Sequence, residues 1–169
     1  IAALGPDGGR AGVTPLMEKV AADLTAARTA AVLDDDLVLA RWRKLAWNIP
    51  FNPLSVILDA TTDELVSDPH TVALIRVLME EVRAAAAAEG RMLPESIVDD
   101  LLAATARMAP YATSMKLDAE SGRPMEVDVM LAEPLRRAAS SGVAMPAVSV
   151  LHQQLAFLDA RAARVSRGL

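Results

Sequence analysis

Apolar residues recur at three- and four-residue steps along most of the chain, the period of a helix with one buried face. Val72, Leu74, Ile75, Leu78, Met79 and Val82 form the clearest run. They follow Asp68-Pro69, an N-cap residue and a proline suited to the first helical position, and they lead through an alanine run to Gly90. The pattern predicts that the longest helix lies here. Thr14-Pro15 predicts an earlier helix, with Leu16, Val20, Leu24 and Ala27 at helical spacing and an end near Ala31. Asp34, Asp35 and Asp36 read as the cap of a second helix rather than as metal ligands, because adjacent helical positions point apart. That helix runs through Leu37, Leu39, Trp42 and Leu45. Pro50 and Pro53 are expected to kink or break it, with a further helix starting near Pro53. Thr61-Thr62-Asp63-Glu64 reads as a short turn or cap. Later helices are expected over residues 94–108 (Ile97, Leu101, Leu102 and Ala104 inward), 125–139 despite Pro134, and 146–165, with a short helix or turn over 114–120 ended by Ser121-Gly122.

Composition narrows the fold class to all-α. Alanine, the best helix former, is abundant, and aromatics make up only 3% of the 169 residues. The length suits one domain that buries roughly 70% of its unfolded surface. There is no cysteine, which excludes disulfides, thiol nucleophiles and zinc held by cysteines. His70 and His152 are the two histidines, read as ordinary polar positions, so no histidine-rich metal site is expected. A net charge of −5 argues against a nucleic-acid partner. The uncharged stretch 45–58 is too short to span a bilayer, and nothing at the start marks secretion, so a soluble cytoplasmic protein is expected.

The first residues carry a different expectation. Residues 1–4 read as the tail of a buried strand, and residues 5–12 as a turn-rich surface loop whose glycines lack the G-x-G-x-x-G spacing of a phosphate cradle. The chain is therefore expected to comprise the end of a missing domain, residues 1–12, and a helical domain, 13–169. Apolar faces left uncovered by that missing partner predict an exposed patch or self-association.

Two segments hold candidate chemistry. Lysine is rare: Lys19, Lys44 and Lys116 stand against fourteen arginines. Lys44, Asn48 and Asn52 fall at four-residue steps, with the prolines leaving the direction of Asn52 open. Leu45, Trp47, Ile49 and Phe51 surround Lys44 in sequence, and an ammonium partly desolvated by such neighbours can act as a proton donor. Two amides beside it suit a small polar ligand, or else satisfy carbonyls freed by the prolines. The second segment is Ser114-Met115-Lys116-Leu117-Asp118, then Arg123-Pro124-Met125-Glu126-Val127-Asp128. Ser114 suits an N-cap, and Glu126 and Asp128 suit the first turn of a helix. Glu126 would tune Lys44 if the two met across a cleft.

Taken in order, these segments resemble the C-terminal helical domain of the ketopantoate reductase family, of the 6-phosphogluconate-dehydrogenase-like type and without its Rossmann domain. The resemblance rests on Lys44-x-x-x-Asn48-x-x-x-Asn52-Pro53-Leu54, Ser114-Met115-x-x-Asp118 and Arg123-Pro124-x-Glu126-Val127-Asp128. It implies NADPH-dependent reduction of a 2-keto acid to a 2-hydroxy acid, with NADP(H) bound mainly by an N-terminal dinucleotide-binding domain of the parent protein. Lys44 would be the general acid, Asn48 and Asn52 would bind substrate oxygens, and Ser114 its carboxylate region. Glu126 would hold the terminal hydroxyl and orient Lys44, while Asp118 would cap or orient Ser114. Met125 departs from the small polar residue usual there, and Trp47, Pro50 and Phe51 add bulk expected to border the pocket. Another keto substrate, or a non-catalytic helical dimerisation module, are the alternatives; a homodimer is left open.

Overall fold

The computed structural model describes residues 1–5 and 9–166, so Pro6, Asp7 and Gly8 of the glycine-rich loop lie outside it. Regular structure among the described residues is helical, apart from an isolated bridge between Leu4 and Arg10. The chain divides into two units, Ile1–Lys44 and Leu45–Leu169. The loop-to-helix boundary expected at residues 12 and 13 falls inside the first.

The first unit holds helix α1, Pro15–Ala26, and the opening turns of α2, Leu37–Ile57. Thr14 caps α1, its hydroxyl accepting the Met17 N–H at 3.3 Å, and Met17 rather than Leu16 is the buried residue. The helix ends at Ala26, short of Ala31, because Arg28 takes a left-handed φ of 59° and the Thr29 N–H turns back to the Leu24 carbonyl. The acidic triplet acts as a cap. Asp36 Oδ1 accepts the Leu39 N–H at 3.0 Å and Oδ2 accepts from Arg10 Nε at 3.0 Å. Asp34 accepts the Asp36 N–H, which holds its carboxyl below the usual range, and also pairs with Arg43 at 2.8 Å.

Pro50 and Pro53 do not break α2, and no further helix starts near Pro53: one helix of 21 residues passes through both. Each proline removes one backbone bond, to the carbonyl of Ala46 or Ile49, at a cost of about 3 kcal/mol. Ile49, Phe51 and Leu54 are at most 1% exposed, and burying each such side chain contributes roughly 1.5–3 kcal/mol. Burial offsets the prolines.

The second unit builds the main core around α4, Pro69–Ala88, whose Ile75, Leu78, Met79 and Val82 are fully buried. Asp68 caps it through the N–H groups of His70 and Thr71, and Gly90 ends it at φ 73°, as the sequence predicts; at 20 residues it is one shorter than α2. Around α4 stand α3 (Thr62–Ser67), α5 (Ile97–Ala106), α7 (Glu133–Ser140) and α8 (Pro146–Ser166). The Thr61 segment is a true helix start, since Glu64 accepts both the N–H and O–H of Thr61 at 2.8 Å. In α5, Ile97, Val98, Leu102 and Thr105 face inward, while Ala104 is exposed. Glu81 of α4 caps α8 through the N–H groups of Ala147 and Val148, and Glu89 binds Arg137 of α7 through both carboxylate oxygens. Helix α6, Ser114–Glu120, has the limits the sequence predicts.

Residues 125–139 depart from simple helix. A π-helical turn, Asp128–Ala132, precedes α7. Pro134 has no N–H for the Met130 carbonyl and its ring crowds that carbonyl, and the wider turn makes room.

Candidate functional site

The continuity of α2 fixes what the sequence left open. Lys44, Asn48 and Asn52 fall at four-residue steps along one unbroken helix, and exposure falls along them: Lys44 is exposed, Asn48 half-buried and Asn52 2% exposed. The cover expected for Lys44 is not provided by its apolar neighbours. Ile49 and Phe51 are wholly buried, and Trp47 stacks on Phe51 with ring centroids 4.9 Å apart. The Trp47 Nε1–H donates to Thr105 Oγ1 at 2.9 Å. Pro50 and Phe51 thus belong to the core, and Trp47 lies half-buried against it.

Asn52 does not repair a proline-freed carbonyl. Its Nδ2 donates to Met130 Sδ at 3.2 Å, across to the π turn, while its Oδ1 is buried without a donor. Leaving such an acceptor unpaired costs about 1–3 kcal/mol, and a ligand O–H or N–H would complete it. One turn on, the fully buried Ser55 donates to the Asn52 carbonyl at 2.8 Å and lies 2.7 Å from Thr113 Oγ1.

Thr113, not Ser114, caps α6. Its extended backbone, φ −63° and ψ 159°, lets its hydroxyl accept the Lys116 N–H at 3.3 Å, whereas Ser114 is already helical. The Ser114 side chain is exposed and unbonded among the described residues. Asp118 does not orient Ser114 either. Its Oδ1 accepts from Nε and Nη2 of Arg123 at 2.8 and 2.7 Å, closing the turn at Gly122.

That turn leads to Glu126, which is exposed and makes no side-chain hydrogen bond or ion pair among the described residues. Glu126 lies just before the helix start rather than in it, its carbonyl accepting the Met130 N–H at 3.0 Å, and Asp128 opens the π turn. The loop is tied to α8, where Asp159 Oδ1 accepts the Met125 N–H at 3.0 Å. Glu126 and Asp128 line a cleft of about 480 Å³ against Ala156, Asp159 and Ala160 of α8. A second cleft of about 450 Å³ lies between Val56, Ala119, Arg123 and Leu158, and Met125 borders both.

Ser55, Thr113, Lys116 and Asp159 hold the site segments, and the sequence reading gave them no role. Lys116 is nearly buried and pairs with Asp59 and with Glu120, the latter at 3.1 Å. The hydrogen bond to Asp59 raises the Lys116 pKa and lowers that of Asp59. The four-residue step from Lys116 to Glu120 and the three-residue step from Asn52 to Ser55 were the local signals available. No group of three metal-ligating side chains occurs among the described residues. No strand occurs there either, so these residues offer no strand–glycine loop–helix unit on which a dinucleotide would sit. No helix among them is long and apolar enough to cross a membrane.

Comparison with known proteins gives a consistent picture. The family model described as Ketopantoate reductase PanE/ApbA C terminal matches residues 36–159. The chain is 45% identical over 150 residues to 2-dehydropantoate 2-reductase of Nostoc sp., covering 89% of this chain and 47% of that protein. It is 32% identical over 144 residues to the Mycobacterium tuberculosis 2-dehydropantoate 2-reductase, covering 84% of this chain and 48% of that one. Among solved structures, 2-dehydropantoate 2-reductase from Methylococcus capsulatus matches with a TM-score of 0.84 at 36% identity, covering 89% of this chain and 48% of that chain. The all-α expectation holds, and this chain spans about half the length of these relatives.

Proposed function

Since the chain belongs to the ketopantoate reductase family by its C-terminal domain, we propose that the intact protein is a cytoplasmic NADPH-dependent reductase of a 2-keto acid, with ketopantoate as substrate and pantothenate biosynthesis as its setting. The observation that carries this reading is α2, which runs unbroken through Lys44, Asn48 and Asn52. In this reading NADPH, held mainly by an N-terminal Rossmann domain, is the hydride source. The residues of this chain handle the proton and the substrate's oxygens.

Lys44 is the general acid, donating a proton to the carbonyl oxygen as it becomes an alkoxide; its charge also stabilises that oxygen. An exposed ammonium with no partner among the described residues has its donors available for this task. Asn48 and Asn52 bind substrate oxygens, and the unpaired Oδ1 of Asn52 suits a hydroxyl donor. The free Ser114 hydroxyl takes the carboxylate region. Glu126, exposed beside its cleft, accepts the substrate's terminal hydroxyl and orients Lys44. The chain without a dinucleotide-binding partner is inactive in this reading. The test is NADPH oxidation by the intact protein with ketopantoate. Turnover sustains the reading, and absence of turnover with NADPH bound removes ketopantoate as the substrate.

A further inference from the structure

We propose that Ser55 and Thr113 are a positioning pair: their buried hydroxyl–hydroxyl bond sets the start of α6, and with it Ser114, at a fixed place relative to Asn52. The proposal rests on the reading of Asn52 and Ser114 as substrate contacts. Both hydroxyl residues are 0% exposed and they lie 58 positions apart in sequence. Their oxygens are 2.7 Å apart.

The direction of the bond follows from counting protons. Ser55 has one hydroxyl proton, and it goes to the Asn52 carbonyl at 2.8 Å. Thr113 is therefore the donor within the pair. Its oxygen keeps a lone pair for the Lys116 N–H, the bond that caps α6. The result is a continuous relay from the Lys116 N–H through Thr113 and Ser55 to the Asn52 carbonyl. Every donor in it has an acceptor.

Stability alone does not call for this relay. Two buried hydroxyls replaced by apolar groups of the same shape leave a fold about as stable. Thr113 has a second duty as a helix cap, but the Ser55 side chain, in the last turn of α2, has none beyond these two bonds. A hydrogen bond fixes separation and direction where an apolar contact permits sliding. Ser114 directly follows Thr113, and Asn52 directly supplies the terminal acceptor. A shift at either end moves one proposed substrate contact relative to the other, and misplacement by about 1 Å can cost about 10²-fold.

The experiment uses the intact protein with Ser55→Ala, Thr113→Val and Thr113→Ser, read by amide hydrogen exchange at residues 114–117 and by steady-state kinetics with ketopantoate. Ser55→Ala is expected to speed exchange at the start of α6 about 10-fold, and to raise KM about 10-fold with kcat within about 3-fold. Thr113→Val is expected to match or exceed it, and Thr113→Ser to restore wild-type behaviour. Unchanged exchange in Ser55→Ala overturns the proposal whatever the activity. Faster exchange with unchanged KM, in a protein that turns over ketopantoate, overturns the link to substrate. Faster exchange in a protein whose wild type shows no turnover of ketopantoate sustains the hold on α6 and removes ketopantoate as the substrate instead.

Discussion

Helix α2 at Lys44 and helix α6 at Lys116 each carry one of three lysines, and they treat it in opposite ways. Lys116 is the third residue of α6, near the positive end of the helix dipole, where a cation is disfavoured. It stays because Asp59 and Glu120 both bind it, and Asp59 holds its place in a left-handed backbone conformation, φ 53°. Lys44 stands mid-helix, exposed, with no ion pair among the described residues. A lysine whose donors are taken by carboxylates of its own chain is a fastening. One left without a partner has its donors free for a ligand, and rarity in the sequence does not separate the two.

The largest effect expected is on Lys44. Lys44→Ala in the intact protein should lower kcat with ketopantoate by about 10²–10⁴-fold, the range for loss of a positioned acid. Its melting temperature should stay put, because nothing in the fold leans on that side chain. A kcat within a few-fold of wild type would erase the contrast between the lysines.

Lys116→Met should do the reverse, with kcat within about 3-fold and a fall in Tm of about 3–6 °C. The pH dependence of that gap has a definite sign. Asp59 is lowered by Lys116, so its share is present above the usual Asp value of about 3.9 and lost as pH falls through the lower folded value. Lys116 is raised by Asp59, so its share is present below the usual Lys value of about 10.4 and lost as pH rises through the higher folded value. Melting curves of wild type and variant should therefore differ by a constant amount across neutral pH and converge at both extremes. A gap that peaks near pH 7 would point to another titrating group.

Trp47→Phe should have the smallest effect. It removes one hydrogen bond to Thr105, which keeps its own bond to the Leu101 carbonyl at 2.7 Å, so Tm should fall by about 1–2 °C. KM for the keto acid should not move. A shifted KM would place the indole at the pocket.

Legibility in the sequence follows the range of the forces involved. Helix α4 was readable to its ends because cap, periodicity and stop residue agree within a few positions, whereas α6 has the expected span but takes its cap from Thr113 rather than Ser114. The continuity of α2 was not readable, because two prolines argue locally for a break and only the burial of Ile49, Phe51 and Leu54 overrides them. The candidate residues were legible as an ordered set of motifs. Their bonding was not: Asn52 meets Met130 78 positions away, and Ser55 meets Thr113 58 away. Asp118 looked like a partner for Ser114 four residues earlier, but an arginine across a glycine turn offered a charge, which a hydroxyl does not.

The π turn at Asp128–Ala132 has a consequence for the register of the whole α6–α7 passage. A wide turn is the trace of one extra residue taken up by a helix without loss of its axis. Each helical residue advances the chain by about 100°, so Val127, where the chain enters the turn, is set round by about that angle from the phase α7 alone would give it. Met130 and Leu131 are buried within the turn and Ala138 within α7, while Glu126, ahead of the turn, lines the α8-lined cleft. Deleting a single residue within the turn would draw Val127, and the loop that carries Glu126, round toward another face and leave α7 where it is.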